Sequence, residues 1–175
     1  MPIDAGFIAT WKTLHQRKET TYGQRYHELI DRVREESASG AFLRPETLRE
    51  IIGWKSARSR GRIDWDNYSK YQAVFSRATG TSLDVHSLVG RPGFGYPYAS
   101  TVMHFAFPGL IPIVDVRTIG ALRSLGLLEE RETFYTSTFP GYEDYVDVVR
   151  KLAADNPGAT LRDIDMALYA YNKYA

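Results

Sequence analysis

Apolar residues recur along almost the whole of this chain with the period of an α-helix, and strict period-two alternation is scarce. A face that repeats about every 3.6 residues is gathered on one side only by coiling, so the pattern points away from a sheet-based core. Phe7, Ile8, Trp11 and Leu14 share one face, and Tyr22, Tyr26, Leu29, Ile30 and Val33 share the next, which a run of small residues ends at Gly40. Pro45 suits the first turn of a helix carrying Leu48, Ile51 and Ile52. Asp64 or Asp66 is placed to cap a helix through Trp65, Tyr68, Tyr71, Val74 and Phe75, stopped by Gly80, and Ser82 to cap a short one through Leu83 and Leu88. Val116, Ile119, Leu122 and Leu125 form a face closed by Gly126, after which residues 129–142, rich in hydroxyls, read as a surface connection. Tyr142, Tyr145, Val149 and Leu152 begin another helix that stops at Asp155–Gly158. A last one starts at Thr160, where Asp163 completes capping-box spacing.

The expected fold class is therefore all-α, a compact helical bundle of about nine helices. Residues 1–175 are long enough to bury a core without crosslinks and are expected to form a single domain. A division into two small lobes stays open, its weak candidate boundary at Ser37 to Pro45, where polar and small residues cluster.

Composition narrows the chemistry. The chain has no cysteine, which excludes disulfides, thiolate zinc sites and cysteine-ligated iron–sulfur clusters. His15, His27, His86 and His104 lack ligand-like spacing, and no Walker, dinucleotide or G-x-S-x-G motif occurs. A reaction without metal or cofactor is expected, carried by carboxylates, imidazoles, amines or hydroxyls. No window approaches about 18 continuous apolar residues, and the first residues lack the layout of a signal peptide, so the expected location is cytoplasmic, with no membrane partner. A net charge of +1 excludes a globally basic nucleic-acid coat and leaves only a local patch.

Residues 91–115, RPGFGYPYASTVMHFAFPGLIPIVD, combine several signals. Gly93 and Gly95 flank Phe94, which suits a tight turn between two helices with the apolar ring turned inward. Pro97 fits the first turn of the following helix, near Tyr96, and free amides there can cradle a phosphate at the positive end of the helix dipole. Taken alone, the pair is also an ordinary helical corner. Asp115 follows the apolar run Ile111–Val114 and precedes the Val116 face, so it is placed to cap that helix. Upstream, residues 54–62, WKSARSRGR, carry Lys55, Arg58, Arg60 and Arg62 without one acid. That run suits either phosphate contact or the solvated end of a helix.

The segment RPGFGYPYASTVMHFAF resembles the helix-hairpin-helix element of the DNA glycosylase superfamily, whose hairpin reads L-P-G-V/I-G-x-x-x-A. In the endonuclease III branch an apolar stretch and a catalytic Asp follow that hairpin. Gly93 to Asp115 spans 22 positions, as in that branch, and PIVDVR is similar to its V-D-T-H and to the P-I-L-D-G of the MutY adenine glycosylases. The resemblance covers residues 82–125. Arg91 departs from the usual apolar residue before Pro92, and Val116 and Arg117 stand where the family has Thr-His.

The resemblance implies a helix-hairpin-helix glycosylase-like fold and excision of a damaged or modified DNA base, with Asp115 as catalytic carboxylate. DNA repair by base excision is the setting it suggests, and a monomer acting on duplex DNA with a flipped base is the expected assembly. Gly93, Phe94, Gly95, Tyr96 and Tyr98, with Lys55 and Arg58, are the candidate DNA-binding residues. Trp54, His104 and Arg117 are the candidates for the base pocket, although aromatic residues and a histidine in such patterns equally serve a core. Bifunctional members carry a Schiff-base lysine at the hairpin position held here by Pro97, so the implied enzyme is monofunctional. Two other readings stand beside it: a DNA-binding module that keeps the hairpin without catalysis, and an interaction protein whose glycine turn never meets DNA.

Overall fold

A computed structural model describes residues 2–56, 61, 63–130 and 134–175. Among the described residues there are ten α-helices and no strand. The chain divides into two compact units, the first formed by Met1–Thr20 and Pro112–Ala175, the second by Thr21–Ile111. The polar stretch 37–45 is not the boundary. It lies inside the second unit, where the buried Glu36 carboxylate accepts from Arg44 N at 2.9 Å and from the Thr47 hydroxyl, capping the next helix through tertiary contact.

The first unit is arranged around its last helix. α10 (Leu161–Tyr174) packs on α1 (Ala5–Lys18), on α7 (Val116–Ser124) and on α9 (Phe139–Asp155), with the short α8 (Phe134–Ser137) against α9. Phe7, Ile8, Ile119, Leu122, Tyr142, Tyr145, Ile164 and Leu168 fill the space between them. Ala167 and Ala170 keep α10 narrow, and at Gly120 of α7 an added Cβ would stand 2.6 Å from Asn172 Nδ2 of α10. A side chain at Gly120 would therefore displace the Asn172 amide. The hydroxyl-rich segment read as a connection is helical for most of its described length. Thr138 caps α9 by accepting from Gly141 N at 3.2 Å, and Pro140 fits its first turn, so α9 begins at Phe139 rather than at Tyr142.

In the second unit α2 (Thr20–Ala38) leads to α3 (Pro45–Lys55), and a 3-10 turn at Trp65–Asn67 precedes α4 (Ser69–Phe75). Neither Asp64 nor Asp66 caps α4, whose N-terminus follows Tyr68 directly from that turn. α5 (Ser82–Leu88) is capped by Thr81 in a reciprocal box with Asp84, and Ser82 is already its first helical residue. α6 (Tyr96–Ala106) packs on α3 and α5 and is buried along most of its length. Two of its hydroxyls are satisfied locally: those of Ser100 and Thr101 both donate to Pro97 O, at 3.2 and 2.7 Å. Among the described residues no helix is long and apolar enough to cross a membrane.

His15 gives the first unit a pH signature. It is 5% exposed, edge-on to Tyr169 at 5.5 Å. Burial foremost, then the Arg162 charge, lower its pKa from 6.5 to about 4, against an opposing pull from Glu19. The unfolded chain takes up this proton near 6.5 and the folded one only near 4. The contribution of His15 to stability is therefore whole above that upper value and is lost as pH falls through the interval. Thermal unfolding of wild type and His15→Phe between these pH values should show a steeper loss of midpoint in the wild type; parallel curves would contradict the assignment.

Candidate functional site

The glycine turn joins α5 to α6 in the second unit. Arg91 N donates to Leu88 O at 3.1 Å, Phe94 N to Arg91 O at 3.0 Å and Gly90 N to Phe94 O at 3.3 Å, which closes the turn on itself. Gly93 has φ 84, in the left-handed region that disfavours a side chain. Gly95 is different: φ is −102, and an added Cβ would meet only Pro97 Cδ at 3.8 Å. The fold itself does not require glycine there. Gly95 and Pro92 are exposed, and the N–H groups of Gly93 and Gly95 take no partner among the described residues.

The aromatic residues of the turn hold it from beneath. Phe94 is 5% exposed and packs on Tyr71 with ring centroids 5.3 Å apart. The Tyr71 hydroxyl donates to Pro92 O at 2.8 Å and accepts from Asp64 N at 3.1 Å. Tyr96 is 2% exposed, its hydroxyl 2.7 Å from His86 Nδ1. Phe94 is turned inward as its place between two glycines suggests, and Tyr96 is sealed as well, so of these two candidate DNA-binding residues only the main chain is left to meet a ligand. Tyr98 is half-buried on α6.

His104 also leaves the set of pocket candidates. It is fully buried, donates from Nδ1 to Ile111 O at 2.6 Å and has the Tyr26 hydroxyl 2.8 Å from Nε2. A carbonyl can only accept, so Nδ1 carries a hydrogen, and both nitrogens are occupied. Trp54 stands edge-on to Phe105 at 5.1 Å and donates from Nε1 to Tyr22 O at 3.1 Å, which makes it part of an aromatic cluster at the end of α3. Lys55 is half-buried in the last turn of the same helix. Arg58, Arg60 and Arg62 lie outside the described residues.

Asp115 belongs to the first unit, where it is the N-cap of α7. Its Oδ1 accepts from Arg117 N at 3.0 Å. In return the Thr118 hydroxyl accepts from Asp115 N at 3.1 Å and donates to Asp115 O at 2.9 Å, completing a capping box. The carboxylate is half-exposed, at the positive end of a helix dipole and after the buried run Ile111–Val114. Val116 beside it is 71% exposed. The Arg117 guanidinium lies 5.6 Å from the Tyr169 ring centre.

Two residues that hold the turn at Asp115 are hard to read from the sequence. The spacing of Asp115 and Thr118 signals a capping box, but with Thr in the place usually held by Glu or Gln. Tyr145, 30 positions downstream, shows only as an apolar face residue of α9; its hydroxyl donates to Ile113 O at 2.6 Å and lies 3.1 Å from Thr118 Oγ1. Among the described residues no cluster of His, Asp or Glu is built to hold a metal ion.

Because asparagine retains the accepting oxygen, Asp115→Asn should keep the cap and lose less than about 1 kcal/mol, whereas Asp115→Ala should lose about 1–2 kcal/mol. Urea unfolding of both variants checks this, and a large loss in the Asn variant would show that the charge itself holds the turn. Compared with known proteins, the chain matches no family model, no curated relative and no solved structure.

Proposed function

We propose that this protein is a monofunctional DNA glycosylase that hydrolyses the bond between a damaged or modified base and its sugar, acting as a monomer on duplex DNA with Asp115 as its carboxylate. The observation that carries the DNA-binding half is Gly95: an exposed glycine that the fold does not need, in a turn whose amides at Gly93 and Gly95 are open to a ligand. Backbone N–H groups at a helix start, approached without an intervening side chain, suit a phosphate of the DNA backbone. The spacing of that turn from Asp115, shared with the endonuclease III branch, supports the catalytic half.

The chemistry follows from what the bond needs. As the base departs, positive charge builds on the sugar, and a fixed carboxylate stabilises it while orienting or deprotonating the attacking water. A carboxylate held by its own capping box is already oriented, so little reorganisation is left for the transition state. The target nucleotide has to leave the stack to meet it. Pro97 offers no amine, so no Schiff base forms at that position and the strand is left uncut.

One observation favours the non-catalytic module instead. Arg117 stands where the family has His, and its guanidinium lies over Tyr169, which fits a chain that keeps the hairpin and has given up the chemistry.

The deciding experiment is base release from duplex oligonucleotides carrying a panel of damaged or modified bases, read with and without alkali. Wild type should give alkali-dependent breaks at one class of base, and Asp115→Asn should slow them by about 10²- to 10⁴-fold. No release across the panel, with binding intact in Asp115→Asn, would establish the module. In the same duplex, Lys55→Ala should weaken binding and lower the salt slope by about one unit. An unchanged slope would remove Lys55 from the interface.

A further inference from the structure

We infer that Tyr145 is a positioning residue for Asp115, its buried hydroxyl tying together the main chain on the two sides of the carboxylate. The inference rests on the base-excision reading of Asp115 and stays within the first unit. Ile113 lies two residues before Asp115 and Thr118 three residues after it. The Tyr145 hydroxyl reaches both, at 2.6 Å from Ile113 O and 3.1 Å from Thr118 Oγ1, and Thr118 Oγ1 in turn holds Asp115 N and Asp115 O. One side chain from α9 thus fixes where the extended run Ile111–Val114 ends and where α7 begins. The orientation of the carboxylate depends on both.

Packing alone does not account for a tyrosine here. Tyr145 is fully buried, and a phenylalanine would fill the same space without the desolvation that a buried hydroxyl costs. The hydroxyl gives its one proton to Ile113 O and has Thr118 Oγ1 as its other polar neighbour, 3.1 Å away, so that Thr118 shares its own proton between Tyr145 and Asp115 O. Burial foremost, and then the carboxylates of Asp165 and Asp115, raise its pKa well above the usual 10, so it remains a proton donor throughout the range in which the protein can work. Thr118 is equally buried, so water cannot replace either bond without entering the core.

The test uses the full chain with Tyr145→Phe, Thr118→Val and Thr118→Ser, the last of which keeps the hydroxyl. Amide hydrogen exchange is read at Asp115 and Arg117, with Val149 and Leu152 of α9 as internal controls, alongside single-turnover base release and duplex affinity. Tyr145→Phe and Thr118→Val should exchange faster at Asp115 and Arg117 only. They should also release base about ten- to a hundredfold more slowly, at an affinity within about twofold of wild type. Thr118→Ser should restore both readouts.

Unchanged exchange at Asp115 and Arg117 overturns the inference, and so does equal acceleration at Val149 and Leu152, which would mark a general loosening of the core. Faster local exchange with an unchanged rate of base release overturns it as well, while leaving the glycosylase reading in place. A wild type that releases no base overturns that reading and, with it, the catalytic meaning of the clamp.

Discussion

Buried tyrosine hydroxyls in this protein repeatedly donate to carbonyls on segments that are not helical. The Tyr68 hydroxyl donates to Leu43 O in the connection before α3, that of Tyr71 to Pro92 O in the glycine turn, and that of Tyr145 to Ile113 O before Asp115. Helices satisfy their own backbone, but the links between them do not, and a carbonyl left unbonded in the interior costs about 1–3 kcal/mol. With 12 tyrosines and no cysteine, the chain ties its connections by hydrogen bonds where other small proteins use disulfides. Two of these ties, to Pro92 O and Ile113 O, reach a segment that carries a candidate functional group. The rings provide apolar area and the hydroxyls provide register, so packing and loop geometry depend on the same side chains.

This arrangement explains why the helices were easier to read than the site. The faces of α1, α2, α3 and α9 follow from spacing alone, because burial on one side of a helix imposes its period on the sequence. Starts were harder. Thr81 rather than Ser82 caps α5, and neighbouring hydroxyl residues are equivalent in a sequence until the backbone selects one. Residues 129–142 read as a loop because Thr, Ser, Pro and Gly favour turns, yet Thr138 can cap a helix that opens at Phe139. The stretch 37–45 resembled a boundary by composition, while the bonds of Glu36 that hold it in the second unit come from a residue just before the stretch.

At the candidate site the local features were legible and the tertiary ones were not. Gly93, Pro97 and Asp115 act through backbone geometry within a few residues, which spacing records. Spacing does not settle Tyr96 or His104, because an aromatic or a histidine looks alike whether it faces a ligand or a neighbour, whereas Phe94 between its two glycines already reads as an inward ring. Burial and the filled ring nitrogens of His104 give them to the interior. Tyr145 went unnoticed for the opposite reason. A tyrosine on an apolar face gives no hint of where its hydroxyl will point, and only the fold brings it to Ile113 and Thr118.

Gly95 separates two demands that most positions must meet together. Its backbone angles and surroundings accept a side chain, so the pressures of folding and of recognition act on different atoms of one short turn. Gly93 carries the turn's conformation and Phe94 its attachment to the core, leaving Gly95 as a position free to vary. A lineage could drift at residue 95 through many side chains without ever losing the protein, while tightening, loosening or abolishing what touches the turn. Folding alone therefore leaves the choice of residue at that position open.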